Sequence, residues 1–162
     1  MGVSACGKST IGRLLAQARG ATYLDGDDFH PAANVARMAA GHSLTDEDRA
    51  GWLAALSTRL AQADAAGEGV VLSCSALKRR YRDVLRQGAP QLRLVFLYGS
   101  RELLAARIAA RTDHYMPASL LDSQLATLEP PAADEAAISL DITPPTPQLV
   151  AAALRQLQGC PA

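Results

Sequence analysis

The sequence lacks the features by which several classes of protein are identified. Its sixteen lysines and arginines balance its sixteen aspartates and glutamates, so the formal net charge is zero. Without a basic excess, the whole surface does not attract nucleic acid or an anionic membrane, and any bound anion must be held locally. No apolar run reaches the roughly 20 residues of a membrane span, and the N-terminus shows no basic-then-apolar signal region. We therefore expect a cytoplasmic protein with neither nucleic acid nor a membrane as partner.

Cysteine is also scarce. Cys6, Cys74 and Cys160 have neither metal-ligand spacing nor the density of a secreted disulfide scaffold, so we expect reduced thiols. A chain of 162 residues with 49% hydrophobic composition is long enough for one domain with a single sizeable core. Residues 1–162 are therefore interpreted as one domain.

What the sequence does contain is an alternation of short apolar runs with longer stretches of helical period. Strands are predicted at residues 21–25, 69–73, 92–98 and 137–142, and helices are predicted to start near Gly7, Pro31, Thr45, Ala76, Ser100 and Thr146. This alternation is typical of an α/β fold in which helices flank a parallel sheet. The predicted order is helix, strand, helix, helix, strand, helix, strand, helix, helix, strand, helix.

The first ten residues, MGVSACGKST, contain a phosphate-binding pattern. Gly2, Gly7, Lys8 and Ser9 match G-x-x-x-x-G-K-[ST], and an amphipathic helix follows directly. In such a loop the backbone N–H groups wrap the β-phosphate, the lysine reaches the β- and γ-phosphates, and the serine hydroxyl binds Mg²⁺. A nucleoside triphosphate and Mg²⁺ are thus predicted ligands. The predicted nucleotide-binding residues are Gly2, Ser4, Cys6, Gly7, Lys8, Ser9 and Thr10.

Three acids follow the first predicted strand in the segment YLDGDDFHP. Asp25 ends the strand and Asp27 lies two residues on, at the edge of a parallel sheet where α/β folds bind ligands. Phosphoryl transfer to a hydroxyl needs a metal-organising group and a carboxylate that orients and deprotonates the acceptor. Asp25 and Asp27 can divide these two roles, whereas helix capping is a sufficient explanation for Asp28.

The segment after the second predicted strand, SCSALKRRYR, has no acid that could hold Mg²⁺ and carries a basic cluster instead. The missing acid strengthens the assignment of Asp25 to the metal. Lys78, Arg79, Arg80 and Arg82 lie at the start of a helix, where the helix dipole disfavours cations. From the residues alone, a solvated basic face and a site for an anionic acceptor explain this cluster equally well.

Two arginines spaced i, i+4 occur in the segment SRELLAARIAARTDHYM, so Arg107 and Arg111 leave one face of the predicted helix. In a phosphoryl-transfer enzyme, this arrangement is typical of a lid that brings positive charge over the phosphates. Taken alone, the segment is better explained as an ordinary surface helix.

Together these segments resemble the gluconokinases, which are small ATP-dependent kinases with a phosphate-binding loop. The resemblance runs over nearly the whole chain, through GVSACGKS, LDGDDFHP, LTDEDRAGWL, CSALKRRYRDVLR, ARTDHYM and LATLEPPAADE. It implies a three-layer P-loop kinase fold with a helical lid at approximately residues 107–128. It also implies transfer of the ATP γ-phosphate to the 6-hydroxyl of D-gluconate, with ATP and Mg²⁺ as cofactors. A homodimer is compatible with the resemblance.

The same resemblance implies roles for particular residues. The residues implied in catalysis are Lys8, Asp27, Arg107 and Arg111. The residues implied in holding Mg²⁺ are Ser9 and Asp25. The residues implied in binding the sugar acid are Asp27, His30, Arg49, Lys78 and Arg82. The segment EPPAADE is implied to lie beside the adenine.

One element of that fold is missing from the sequence. The phosphate-binding pattern begins at Gly2, whereas the family fold has a buried central strand directly before it. We expect the natural chain to start several residues upstream, with an apolar, β-rich stretch. Ala5 stands where the family loop has glycine, and a positive φ at that position would weaken nucleotide binding. The alternative hypotheses are a kinase of another small acid such as shikimate, and a nucleotide-binding protein with impaired catalysis.

Overall fold

Seven α-helices and four β-strands form the part of the chain that the structure describes. The computed structural model describes residues 1–110 and 118–158. The helices are α1 (Lys8–Arg19), α2 (Ala32–Ala39), α3 (Asp46–Ala65), α4 (Arg79–Gly88), α5 (Arg101–Ala109), α6 (Ala118–Thr127) and α7 (Thr146–Gln158). The strands are β1 (Thr22–Asp25), β2 (Val70–Ser73), β3 (Val95–Tyr98) and β4 (Ile138–Asp141). The predicted order of helices and strands is confirmed. None of these described helices is long and apolar enough to cross a membrane.

The strands form two parallel pairs. In the pair of β1 and β2, Asp25 lies opposite Ser73, and in the pair of β3 and β4, Tyr98 lies opposite Asp141. The predicted α/β fold with parallel strands is therefore confirmed. Each strand is shorter than predicted; the one expected at residues 92–98 covers only Val95–Tyr98, because the residues before it border a gap and lack a neighbouring strand on that side.

That gap, here called the strand slot, separates β2 from β3. It is a cavity of about 760 Å³ lined by β2, by residues 91–95 and by residues of α1, α3 and α4. The hydrophobic core is correspondingly divided into one cluster around α1, α5, α6 and α7 and another around α3 and α4. Val70, Val71 and Leu72 are only half-buried, although a parallel strand between two helix layers is normally buried on both faces.

Met1 crosses one end of the strand slot. Its α-amino group donates to Val95 O over 2.5 Å, and its carbonyl oxygen accepts from Leu97 N over 3.0 Å. On the other side, Gly2 N donates to Ser75 O over 3.1 Å. The chain therefore enters the phosphate loop from between the two strand pairs.

A capping box fixes the start of α3. Thr45 Oγ1 accepts from Asp48 N over 3.2 Å, and Asp48 Oδ2 accepts from Thr45 N over 2.8 Å, so two backbone donors that the helix leaves unpaired are satisfied. The helix start predicted near Thr45 is confirmed. Because this box sets where the helix begins, it also sets which α3 side chains, including Asp46, Arg49 and Trp52, face the neighbouring elements.

Candidate active site

The phosphate loop, residues 2–7, connects Met1 to α1. Gly2 has a φ of 140°, and a Cβ there would lie 2.4 Å from the carbonyl oxygen of Leu97, so no larger residue fits. Ala5 has a φ of 62°, in the left-handed region that favours glycine. The condition under which Ala5 was expected to weaken nucleotide binding, a positive φ, is therefore present.

Lys8 and α1 complete the anion-binding end of this loop. The helix begins at Lys8, and Gly7 before it has no side chain to cap the first N–H groups, which leaves them for an anion. The Lys8 ammonium donates to Val3 O over 2.9 Å and so lies across the loop. Ser4 N donates to Oε1 of Gln124 over 2.7 Å, which ties the loop to α6.

Two predicted nucleotide-binding residues occupy contrasting positions. The Cys6 side chain is 0% exposed and belongs to the core behind the loop, whereas Thr10 is exposed on the first turn of α1. The Cys6 thiol is therefore closed to a ligand, while the Thr10 side chain is accessible to one.

Ser9 and Asp25 lie together where α1 meets the end of β1. Ser9 Oγ donates to Asp25 Oδ2 over 3.0 Å, and the Tyr23 hydroxyl donates to the same oxygen over 2.8 Å. Burial raises the pKa of Tyr23, so its hydroxyl stays protonated and remains a donor at neutral pH. The structure thus brings together the two residues that were predicted to hold the metal.

This pair of oxygen groups fits Mg²⁺. A hydroxyl and a carboxylate are hard oxygen ligands, and nucleotide-bound Mg²⁺ commonly takes one or two protein ligands besides phosphate and water oxygens. Within residues 1–110 and 118–158, no group of three or more His, Cys, Asp or Glu side chains could hold a metal ion. Ser9 and Asp25 would therefore hold the ion jointly with the phosphates.

The next residues form a turn that carries the second acid. Gly26–Phe29, here called the acid turn, is one turn of 3₁₀ helix, and Asp27 N donates to Asp25 Oδ1 over 3.3 Å. Asp27 and Asp28 are both exposed. Both carboxylates are thus accessible to a ligand, and the preference for Asp27 stays a prediction.

Trp52 of α3 supports the acid turn and His30. Its indole is 1% exposed, donates through Nε1 to Gly26 O over 2.6 Å and stacks on the imidazole with a ring separation of 4.3 Å. His30 Nδ1 is buried and has no hydrogen-bond partner among the described residues. Burial, partly offset by the Asp27 carboxylate, lowers the pKa of His30, so the imidazole is neutral at pH 7.

The basic cluster at the start of α4 is matched by acids from other elements. Lys78 Nζ donates to Asp46 over 3.0 Å, and Arg80 and the Tyr81 hydroxyl bond to the same carboxylate. These contacts, with Tyr81 contributing most, lower the pKa of Asp46 to about 2. The basic cluster is therefore not simply a set of solvated cations, because the carboxylate of Asp46 binds two of its members.

Arg49 lies beside this group and connects it with the acid turn. Its guanidinium carbon and the Lys78 ammonium are each 5.7 Å from the centre of the Tyr81 ring. The charges of Arg49 and Asp27 both act on the pKa of His30. The structure therefore brings Asp27, His30, Arg49 and Lys78 into one region, and their role as acceptor ligands stays a prediction.

Arg82 is placed elsewhere, which corrects the prediction that it binds the sugar acid. The side chain is 1% exposed, and it donates to the two carboxylate oxygens of Glu135 over 2.6 and 2.7 Å and to Glu129 O over 3.0 Å. Its guanidinium is enclosed and its donors are used, so no acceptor can reach it. Together with the pair of Arg79 and Asp134, 2.6 Å apart, it fixes the EPPAADE segment against α4.

The predicted lid is described only in part. Arg107 of α5 donates to Ile142 O over 2.8 Å, so its guanidinium is bound just after β4. Arg111 lies outside the described residues. An ion pair of Arg101 and Asp122, 2.7 Å apart, joins α5 to α6.

Sequence reasoning missed four side chains that shape this region, namely Tyr23, Asp46, Trp52 and Gln124. Trp52 offered a signal, because it is the single tryptophan and lies in the motif DRAGWL. The contacts of Asp46 and Gln124 join elements that are distant in the sequence, so no local pattern indicated them. Tyr23 bonds to Asp25 two residues on in the same strand, and alternation along a strand could have placed both side chains on one face.

Comparisons with known proteins agree on the family. A family model described as AAA domain matches residues 1–131. A gluconokinase of Gluconobacter oxydans is 49% identical over 138 residues, which cover 85% of this chain and 78% of that protein. A probable gluconokinase of Mus musculus is 41% identical over 175 residues, which cover 98% and 95% of the two chains.

A solved structure gives the same result. The gluconokinase of Sinorhizobium meliloti superposes with a TM-score of 0.90 at 48% identity, and the match covers 98% of this chain and 89% of that one. The P-loop kinase fold predicted from the sequence is thereby confirmed. Because these identities extend over most of its length, the chain belongs to the gluconokinase family.

Proposed function

We propose that this protein transfers the γ-phosphate of ATP to the 6-hydroxyl of D-gluconate and forms 6-phosphogluconate and ADP. The observation that carries the proposal is the 3.0 Å contact between Ser9 Oγ and Asp25 Oδ2. It joins the first turn of α1, directly after the phosphate loop, to the strand end before the acid turn, so nucleotide and acceptor would share one cleft. The names of the relatives supply the identity of the acceptor.

In this proposal the phosphate loop binds the triphosphate. The N–H groups of the loop and of the first turn of α1 contact the β-phosphate. Val3 O holds Lys8 over the loop, and the remaining donors of the ammonium group serve the β- and γ-phosphates. Bound Mg²⁺, held by Ser9 and Asp25, would neutralise charge on the phosphoryl oxygens.

Asp27 is the proposed base. Its carboxylate orients the acceptor hydroxyl and takes its proton while the hydroxyl oxygen bonds to the γ-phosphorus. At the same time the bond from the γ-phosphorus to the β,γ-bridging oxygen breaks and ADP leaves. The exposed position of Asp27 on a turn anchored by Trp52 supports this role.

The sugar acid is bound by the residues around Tyr81. His30 is the proposed partner of a hydroxyl of the acceptor. Its Nδ1 atom is buried and unpartnered in the structure, so this bond would require the imidazole ring to shift when the acceptor binds. Arg49 and Lys78 offer positive charge to the carboxylate, and the planar guanidinium matches its two oxygens. Arg82 has no part in this contact, since it is bound to Glu135.

Closure of the lid would bring Arg107 and Arg111 over the phosphates. Arg107 must first release Ile142 O, to which it is bound here. Charge brought in by a closing segment stabilises the transferring phosphoryl group and excludes water.

A cytoplasmic location and gluconate as the small-molecule partner complete the proposal. The thiols of Cys6 and Cys74 are unpaired and buried, which supports a reducing compartment. A homodimer stays a prediction of the family resemblance.

The test is ADP formation with D-gluconate and, separately, with shikimate. We expect turnover with gluconate and a product phosphorylated at the 6-position, as read by phosphorus–proton NMR correlation. Asp27→Asn should lower kcat by about 100-fold or more, because a general base contributes at least that factor. Its KM for ATP should change little.

Asp28→Asn is the matched control, since it neutralises the neighbouring exposed acid, and it should stay close to wild type. A clear preference for shikimate would overturn the choice of acceptor. Calorimetric binding of ATP and Mg²⁺ without turnover would favour the hypothesis of a nucleotide-binding protein with impaired catalysis.

A further inference from the structure

We infer that Tyr23 is a positioning residue for the metal site: its hydroxyl fixes the carboxylate of Asp25, and through it the hydroxyl of Ser9, in the arrangement that suits nucleotide-bound Mg²⁺. The inference rests on the proposed function, because it takes Ser9 and Asp25 as the residues that hold the ion. It adds a third residue, which acts through Asp25 and not on the ion itself.

The Asp25 carboxylate is held by three hydrogen bonds. Its Oδ2 atom accepts from the Tyr23 hydroxyl over 2.8 Å and from Ser9 Oγ over 3.0 Å. Its Oδ1 atom accepts from Asp27 N over 3.3 Å. The bond from Tyr23 is the shortest of the three, so this hydroxyl contributes most to the orientation of the carboxylate.

That orientation determines how Ser9 faces a cation. A serine hydroxyl has one proton to donate and two lone pairs with which to accept. Because Asp25 accepts the proton, the lone pairs of Ser9 Oγ are available to the ion. If the Asp25 carboxylate rotated away, the Ser9 hydroxyl would be free to turn its proton towards the ion. A fixed carboxylate therefore keeps the serine ready to bind a metal.

The Tyr23 ring is in turn held by α1. Tyr23 and Asp25 lie two residues apart in β1 and so share one face of the strand. A Cβ at Gly12 would lie 2.9 Å from Cε2 of the ring, so the helix packs directly on it. The guanidinium carbon of Arg13 lies 5.0 Å from the ring centre, within the range of a cation–π contact. The ring therefore has little freedom to carry its hydroxyl away from Asp25.

Ser73 supports the same hydroxyl from β2. It lies opposite Asp25 in the parallel pair, its side chain is buried, and its Oγ atom has no hydrogen-bond partner among the described residues. Burial raises the pKa of Tyr23, and the hydroxyls of Ser73 and Ser9 oppose that rise, which indicates that both lie near the phenol oxygen. A small rotation would let Ser73 donate to this oxygen while the tyrosine donates to Asp25.

Tyr23→Phe tests the inference, because it removes the hydroxyl and keeps the ring against Gly12 and Arg13. The probe is Mn²⁺ in place of Mg²⁺, titrated into protein with β,γ-methylene ATP and followed by electron paramagnetic resonance. The protein is in excess, so that the nucleotide is bound. We expect the Mn²⁺ affinity to fall about tenfold, as for the loss of a group that orients a metal ligand. Nucleotide affinity in EDTA should change less than about twofold, because the N–H groups of the loop are untouched.

Two further variants give the experiment its controls. Tyr98→Phe removes the hydroxyl of an exposed tyrosine at the end of β3 and should bind Mn²⁺ as wild type does. In an Asp25→Asn background, Tyr23→Phe should lower the Mn²⁺ affinity by less than about twofold, because the residue through which it acts has been changed.

A tenfold loss that is confined to Tyr23→Phe in the presence of Asp25 supports the inference. An unchanged or higher Mn²⁺ affinity in Tyr23→Phe overturns it, as does an equal loss of nucleotide affinity in EDTA. The same loss in the Asp25→Asn background also overturns it, because Tyr23 would then act by another route. Wild-type protein that binds Mn²⁺ with the nucleotide and does not phosphorylate gluconate would overturn the proposed reaction alone. Wild-type protein without nucleotide-dependent Mn²⁺ binding would overturn both.

Discussion

The indole Nε1 of Trp52 donates to the carbonyl oxygen of Gly26 over 2.6 Å. This bond ties α3 to the residue between Asp25 and Asp27, and the same indole stacks on His30. One buried side chain therefore supports both the acid turn and a proposed acceptor ligand from behind. The acceptor side of the site is built on α3 as much as on β1.

Trp52→Phe tests this support, because it keeps an aromatic ring for the stack and removes the hydrogen bond. We expect kcat to fall about tenfold and the gluconate KM to rise, since a small displacement of reacting groups is costly. The ATP KM should stay unchanged. Steady-state kinetics with each substrate varied in turn would measure this. A purely structural role would instead lower the active fraction and leave both KM values as in wild type.

Asp46 is expected to compete with the acceptor for positive charge. Lys78 and Arg80 bond to its carboxylate in the structure, so Asp46→Asn should free them for the carboxylate of gluconate. We expect the gluconate KM to fall about two- to fivefold, in line with an exposed ion pair. Glu47→Gln, in the same exposed helical turn, is the control. A higher KM in the Asp46 variant would show that this acid orients Lys78 instead.

The pair of Arg82 and Glu135 should govern acid stability. Arg82, more than any other group, lowers the pKa of Glu135 from 4.5 to about 2. A lowered carboxyl pKa contributes stability above pH 4.5 that is lost as the pH falls through the folded-state value, so the free energy of unfolding should drop between pH 4.5 and 2. Denaturant titrations across this range would measure the drop.

Glu135→Gln should cost about 3 kcal/mol at pH 7, because it leaves the Arg82 guanidinium buried without a counter-charge. It should also flatten the pH dependence. Asp134→Asn breaks the exposed pair with Arg79 and should cost no more than about 1 kcal/mol. An equal loss of unfolding free energy in the two variants would show that burial of the pair of Arg82 and Glu135 does not determine its contribution.

Ala5→Gly should strengthen the phosphate loop. Ala5 has a φ of 62°, and an L-residue in this region costs about 1 to 2 kcal/mol that glycine avoids. We expect a higher melting temperature and a lower ATP KM. Ala136→Gly, at a φ of 47° outside the loop, should raise the melting temperature alone. An ATP KM that responds to both variants would argue against a local effect.

The sequence predicted those parts of the site that depend on local patterns. The spacing of Gly2, Lys8 and Ser9 determines a loop that leads into a helix, and the acids after β1 follow from the end of an apolar run. Because α1 leads directly into β1, the order of elements along the chain places the phosphate loop and the acids after β1 at one edge of the sheet.

Arg82 shows where this reasoning failed. The four neighbouring cations left a solvated face and an anion site equally open, and the family resemblance assigned Arg82 to the sugar acid. Glu135, 53 residues away in the sequence, instead pairs with Arg82 and encloses it. Such pairing is decided by tertiary structure, as is the contact of Gln124 with the phosphate loop. Residues that act through distant neighbours leave no periodicity or motif of their own.

The attachment of the phosphate loop has a mechanical consequence. Its first residues are bonded to β3 through Leu97 and to the end of β2 through Ser75, while the acid turn extends from the β1–β2 half alone. The distance from donor phosphorus to acceptor oxygen would therefore depend on how the two strand pairs pack against each other. Because a misplacement of about 1 Å can cost about 100-fold in rate, a change in that packing would reduce turnover before it reduced nucleotide binding.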